Sequence, residues 1–248
     1  MGIDINCDMG ESFGRFKVGD DQGVMPFITS ANIACGMHAG DPMIVRATVR
    51  SARHHGVGIG AHPGWPDLQG FGRREMQFTA EDAEAFVLFQ IAAVAGIAKA
   101  EGARLVHVKP HGALYNQATK DHELAQAIAR AVREFDAELI LVGLAGSALI
   151  EEGIQAGLRV ANEGFADRRY ESDGTLRPRK QTGAVIETPE GVATQAVQLA
   201  REGIRNGRDS LRIDTLCLHG DHPRAADNAR RVRESLEKAG MAVERMTG

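Results

Sequence analysis

The chain has 248 residues, 43% of them hydrophobic and 25% charged, which suits one globular α/β domain with a core of ordinary size. A formal net charge of -4, with no run of like charges, excludes the basic face that a nucleic-acid binder needs. Three cysteines, Cys7, Cys35 and Cys217, lack Cys-x-x-Cys spacing and read as buried, reduced thiols.

In chain order, apolar runs alternate with helical patterns. The first run, 3–5, opens a strand and leads into Asn6, Cys7, Asp8, Met9, Gly10 and Glu11. No basic or apolar leader precedes it, and the most apolar stretch, 85–98, is short of the roughly 20 residues of a membrane span, so a soluble cytoplasmic protein is expected. Run 31–34 is followed by Cys35, Gly36, Met37, His38, Ala39, Gly40 and Asp41, and a helix over 42–55 takes Asp41 as N-cap and Pro42 as its first residue. Run 57–61 ends in His62, Pro63 and Gly64, before a long Gly-, Pro- and Arg-bearing segment, 64–78. Thr79 and Asp82 approximate a capping box for a helix over 80–101.

Run 105–108 ends in Lys109, Pro110, His111 and Gly112, with a helix over 121–135 beyond. Run 138–142 ends in Gly143 alone, and a helix over 147–156 follows. Run 158–161 leads into Asn162, Glu163, Gly164, Phe165, Ala166, Asp167 and Arg168. A second long polar segment, 170–186, carries Arg177, Arg179 and Lys180, and Pro189 then opens a helix over 189–206. The last run, 215–218, ends in His219, Gly220 and Asp221, and Pro223 opens a helix over 223–239. Gly56, Gly102, Gly157, Gly207 and Gly240 stand where helices should stop.

This alternation predicts a single domain over 1–248: an α/β fold, a (β/α) barrel of about seven parallel strands, with an open doubly wound sheet as the alternative. Parallel α/β folds carry chemistry at the C-terminal ends of their strands, so the polar clusters describe one site. The long segments suit lids.

Asp8 and Glu11 form an acid pair fit for metal binding or general acid–base work, with a polar turn as the plain alternative. His38, His62, His111 and His219 occupy four equivalent strand ends and suit a base or a divalent metal beside Asp8. His54, His55 and His122 fall at helix ends and read as surface residues, and His107 lies within a strand with its facing undecided. Asp41 and Asp221 are explained equally well as N-caps. A lysine at a strand end, Lys109, is seldom needed for folding and suits a carboxylate or a developing oxyanion. Tyr115 lies one helical turn past His111, and Arg73, Arg74 and Arg168 are carboxylate or phosphate candidates or plain surface charges. No P-loop, Gly-x-Ser-x-Gly elbow or Gly-x-Gly-x-x-Gly fingerprint occurs, so the usual ATP cradle, hydrolase serine and dinucleotide site are missing.

Residues 4–14 (DINCDMGESFG), 31–42 (ANIACGMHAGDP), 60–67 (GAHPGWPD), 70–74 (GFGRR), 108–116 (VKPHGALYN), 163–170 (EGFADRRY) and 217–221 (CLHGD) together resemble the LamB/YcsF family, in order along nearly the whole chain. Met37 and Trp65 stand where other large apolar or aromatic residues are expected. The resemblance implies a seven-stranded (β/α) barrel similar to the polysaccharide deacetylases. It further implies one subunit of three, which together open the lactam of 5-oxo-L-proline to L-glutamate, with ATP hydrolysed and its site shared with the two partners.

On that reading Asp8 or His62 activates water, while Lys109 and His111 stabilise the developing charge. Asn6, Glu11, Asn32, His38, Tyr115, Glu163, Arg168 and His219 are the substrate-binding candidates. A divalent metal, if one is used, falls to Asp8, His38 and His62. Replacing Lys109 by Ala is expected to abolish turnover and leave the fold intact. The rivals are a metal-dependent deacetylase of an amide or N-acetyl sugar, and a non-catalytic subunit that captures a small carboxylate.

Overall fold

Most of the apolar runs are buried on both faces, as in β2 (Ser30–Ala34), β3 (Gly58–His62) and β5 (Ile140–Leu144). Only a parallel sheet wrapped by helices tolerates strands of that kind. The computed structural model describes residues 2–179 and 181–246. With β1 (Gly2–Met9), β4 (Leu105–Val108), β6 (Arg159–Phe165) and β9 (Thr215–Leu218), these strands run in the order β1-β2-β3-β4-β5-β6-β9. β9 then pairs back onto β1, Asn6 opposite Cys217, and closes a seven-stranded parallel barrel. A short β10 (Ala242–Val243) adds to the start of β1, and β7 (Ile204–Asn206) with β8 (Asp209–Leu211) forms a separate antiparallel hairpin.

The helices are α1 (Asp21–Val24), α2 (Pro42–His55), α3 (Ala80–Ala100), α4 (Gly112–Ala118), α5 (His122–Phe135), α6 (Ala148–Gln155), α7 (Pro189–Glu202) and α8 (Ala225–Lys238). The starts of α2 and α3 are built as the sequence implies. Asp41 accepts from Met43 N and Ile44 N ahead of Pro42, and Thr79, Asp121, Ser147 and Thr188 cap α3, α5, α6 and α7. Among the described residues α3 alone is long and apolar enough to cross a membrane. Val87, Ile91, Val94 and Ala98, spaced along one helical face, are buried.

Several boundaries differ from the sequence expectation. The expected run 3–5 is the start of an eight-residue strand, 138–142 is displaced to Ile140–Leu144, and 158–161 extends to Phe165. Asn6, Asp8, Gly143 and Glu163 are therefore strand residues rather than loop residues. The helix expected over 189–206 stops at Glu202, because Gly203 (φ 76°) turns the chain into the hairpin; Gly207 belongs to the turn of that hairpin. Pro223 lies two residues ahead of α8, whose N-cap is Arg224, so Asp221 does not cap it. The segment 170–186 is partly organised by bridges from Tyr170 to Leu176 and from Arg168 to Val185; its Lys180 lies outside the described residues.

The barrel interior is polar, which is why apolar runs understate the strands. Near the N-terminal end Asp4 Oδ1 accepts from Thr29 and Ser30, and its Oδ2 accepts from Thr215. Above it Asn6 Nδ2 donates to Thr215 Oγ1 and Glu163 Oε1, and His107 Nε2 lies 2.8 Å from Asn32 Oδ1. His107 thus faces the interior, against Gly60, where a Cβ would fall 2.1 Å from its Nε2. Gly60→Ala is expected to displace the ring and cost about 1–3 kcal/mol, read as a fall of ~3–10 °C in melting temperature. An unchanged melt would mean that the ring has room to move.

Burial also pushes the His107 imidazole down to about 3. The folded protein keeps it neutral where the unfolded chain would protonate it, so its contribution is intact above about pH 6.5 and fades as pH falls from there towards 3. Between pH 7 and 5 its own share of the loss is about 2 kcal/mol, measured as the part of the drop in the urea midpoint that His107→Gln removes.

Candidate active site

At the C-terminal mouth four strands converge on one ammonium. Lys109 Nζ, directly after β4, lies 3.0 Å from Asp8 Oδ1 and 2.9 Å from Glu163 Oε1. It also donates to Asn6 Oδ1 at 3.1 Å and to Cys217 Sγ at 3.0 Å. Asn32 Nδ2 bridges Asn6 Oδ1 and Asp8 Oδ1, and Tyr115 donates 2.7 Å to Glu163 Oε2. β1, β2, β4, β6 and β9 each supply a member, with α4 adding the tyrosine, so the barrel's register builds this network.

Burial would push the Asp8 carboxyl up, but His62 and Lys109 beside it hold it well below the usual carboxylate range. Burial likewise disfavours the charged Lys109 amine, and its neighbours Asp8 and Glu163 outweigh this and hold it protonated. Burial and the adjoining Glu163 push the Tyr115 hydroxyl up, so it stays a donor.

Beside this network lie three imidazoles and a carboxyl. One ligand atom from each of Glu11, His38, His62 and His111 lies within 4.8 Å of the others, a cluster that could hold a metal ion. Glu11 and His111, rather than Asp8, complete the set around His38 and His62. Asp8 groups with Cys217 and His219 instead, although its Oδ1 is 3.4 Å from His62 Nε2. Burial, then the negative charge of Asp8, pushes the Glu11 carboxyl up; burial pushes His38 and His111 well down.

Segment 64–78 folds over these rings. The carbonyl of Phe71, at φ 57° the one non-glycine residue with positive φ among those described, faces His111 Nε2 at 2.8 Å. At Gly72 a Cβ would lie 2.7 Å from His38 Cβ and 2.9 Å from His111 Cδ2, so only glycine admits both rings. Strain of this kind gathers at functional sites. Arg73 Nη2 reaches 2.6 Å to Asp221 Oδ2 and ties the segment to the loop after β9. Arg73 is thus a latch rather than a free surface charge, while Arg74 pairs with Asp67.

The remaining candidates are less central. His219 Nδ1 lies 2.7 Å from Asp167 Oδ2, with its ring stacked on Phe165. Arg168 donates to the carbonyl of Arg177, and its Nε, buried, has no hydrogen-bond partner. His54, His55 and His122 are exposed, and the three cysteines are buried and free. Sequence reasoning passed over Thr215, Asp167 and the Phe71 carbonyl. Only the side of the barrel each faces, and the path of the covering segment, would have exposed them.

A profile of the LamB/YcsF family matches residues 3–248. A 5-oxoprolinase subunit from Chloroflexus aggregans is 53% identical over 98% of both chains. Its counterpart in Bacillus subtilis is 52% identical over 97% of this chain and 95% of its own. The solved structure of a lactam utilization protein from Thermus thermophilus superposes with a TM-score of 0.92 at 48% identity, covering 99% of this chain and 100% of that one.

Proposed function

The chain belongs to the LamB/YcsF family, and from that premise we propose that it is the member of an ATP-dependent 5-oxoprolinase complex that holds 5-oxo-L-proline and opens its ring to L-glutamate. The observation that carries this reading is near-full-length kinship with proteins named as one and the same 5-oxoprolinase subunit. The site supports it: a barrel mouth lined by a carboxylate, a lysine and a tyrosine suits a small polar lactam with a free carboxylate.

A lactam resists water because amide resonance deactivates its carbonyl. Phosphoryl transfer from ATP to the amide oxygen removes that resonance and releases ADP. Water then adds to the ring carbon and gives its proton to Asp8, the ionised group at the mouth. The ring C–N bond breaks with the electron pair passing to nitrogen, which takes up a proton, and the acyl phosphate left behind is hydrolysed by a second water to glutamate and phosphate.

Lys109 holds Asp8 in place and ionised. Tyr115 and Asn6 fix Glu163, and Asn32 donates to the Asp8 carboxylate. His111 has no N–H aimed into the mouth, since its Nε2 faces the Phe71 carbonyl, so charge stabilisation falls to other donors. Two partner subunits supply most of the nucleotide site, in keeping with the missing P-loop. The cytoplasm, where free thiols persist, is the compartment that fits.

Glutamate release from 5-oxo-L-proline by the chain mixed with both partner subunits, with and without ATP, tests this. Glutamate that needs ATP and all three proteins supports the reading; none, with every protein folded, overturns it. The histidine–glutamate cluster favours one rival, a metal-dependent amide deacetylase, which would act without ATP. Binding of 5-oxo-L-proline by a chain that stays inactive in every mixture would leave a protein that only captures the ligand.

A further inference from the structure

Two backbone carbonyls fix the protons of two facing imidazoles. A carbonyl oxygen only accepts, so the ring nitrogen opposite it must carry the hydrogen. His62 Nδ1 lies 2.6 Å from the carbonyl of Lys109 and therefore donates to it; in the neutral form that a metal takes, the ring presents a bare lone pair at Nε2. His111 Nε2 lies 2.8 Å from the carbonyl of Phe71 and donates there, leaving a lone pair at Nδ1. These two lone pairs face each other at 3.0 Å. As neutral rings they would meet acceptor to acceptor and repel, so a positive charge, a proton or a metal ion, has to lie between or beside them.

A third and a fourth donor point at the same place. Glu11 Oε1 is 3.5 Å from His111 Nδ1 and 3.5 Å from His38 Nε2, and it is buried without a hydrogen-bond partner. His38 is wholly buried, and neither of its ring nitrogens has a partner. Buried polar atoms left unpaired in this way are costly, and three of them in one cluster are not explained by folding.

From this geometry we infer that Glu11, His38, His62 and His111 form a binding site for one divalent cation of the zinc class. Three neutral imidazoles and one carboxylate are the donor set that such ions take, and oxygen-preferring calcium or magnesium does not. Ligand atoms about 2.1 Å from a tetrahedral ion sit about 3.4 Å apart, close to the 3.0 Å between His62 Nε2 and His111 Nδ1 and the 3.5 Å from Glu11 Oε1 to His111 and to His38. The carbonyls of Lys109 and Phe71 orient the His62 and His111 rings in the way that outer hydrogen bonds orient metal-bound histidines.

His38 lies flat against His111, ring centroids 3.7 Å apart, and no hydrogen bond holds it. It is therefore the ligand that turns to close on the ion. Binding releases any proton held between the two fixed rings and the one on Glu11.

The inference does not rest on the lactam chemistry, and its test reads the ion rather than turnover. The full-length chain is stripped with chelator, and cobalt(II) is titrated in while the visible ligand-field spectrum is followed; zinc is then added in competition. One ion per chain is expected, with the strong visible bands of low-symmetry cobalt, displaced by zinc. Glu11→Gln, which keeps the side chain's size, should weaken cobalt binding at least tenfold, as should His38→Asn, with the melting curve showing each variant folded. A folded wild-type chain that takes up no cobalt, or binds it equally well in both variants, overturns the site. A proton shared between His62 and His111 then meets the need for positive charge.

Discussion

Lys109→Ala is expected to remove glutamate release by the reconstituted complex, at least ~1000-fold, and to destabilise the chain by about 3–5 kcal/mol, the usual cost of stripping one partner from a buried ion pair. The second effect departs from the expectation that the fold would survive untouched. Lys109 is 2% exposed and is the ammonium set between Asp8 and Glu163, at 3.0 and 2.9 Å. Without it Asp8 and Glu163 share a dry pocket stripped of the ammonium between them, which favours proton uptake by one of them. Stability and turnover can therefore be separated. Lys109→Met with Glu163→Gln restores the volume and removes one of the two stranded charges, so the urea midpoint should recover much of its loss while activity stays absent. Recovery of both would make the lysine a purely structural pin. A Lys109→Ala chain with native stability and full activity would remove it from the site altogether.

The barrel was legible because its alternation is strong: apolar runs and helical patterns take turns, and Asp41 and Thr79 cap helices where the sequence puts them. The convergence of Asn6, Asp8, Asn32, Lys109, Tyr115 and Glu163 was legible for the same reason, since strand ends in a barrel share one mouth. Strand lengths were not, because the interior of this barrel is polar. Asp8 and Glu163 read as loop when they are interior positions of β1 and β6. Which side His107 faces depends on register with β3, where Gly60 opposes it. Local sequence does not carry that. The proton positions of His62 and His111 depend on carbonyls from Lys109 and from a segment about 40 residues away in sequence from His111, so no motif could give them. β7 was absorbed into the end of the helix expected over 189–206, and β8 went unassigned, because these strands are three residues each, too short to show a period of two.

Asp8→Asn separates base from scaffold more cleanly than any other change at the mouth. The amide has the shape of the carboxylate, and its oxygen can still accept from Lys109 and Asn32, now met at 3.0 and 2.8 Å. Lys109 keeps Glu163 as a counter-ion. Stability should therefore move by about 1–2 kcal/mol at most, within the worth of a charge-assisted hydrogen bond. What the amide cannot do is take a proton from water, so kcat should fall by ~10²–10⁴ while KM for the lactam changes little, the pattern of a group used in the transition state rather than in binding. Steady-state rates at saturating ATP, alongside a urea titration, decide it. Turnover within a few-fold of the native rate would move the base to His62, the one other group whose free lone pair lies 3.4 Å from the Asp8 carboxylate. That result would also bear on the cation site, because a lone pair that takes the proton of water is not free to hold a metal. A large loss in Asp8→Asn with cobalt binding unchanged leaves both assignments standing side by side.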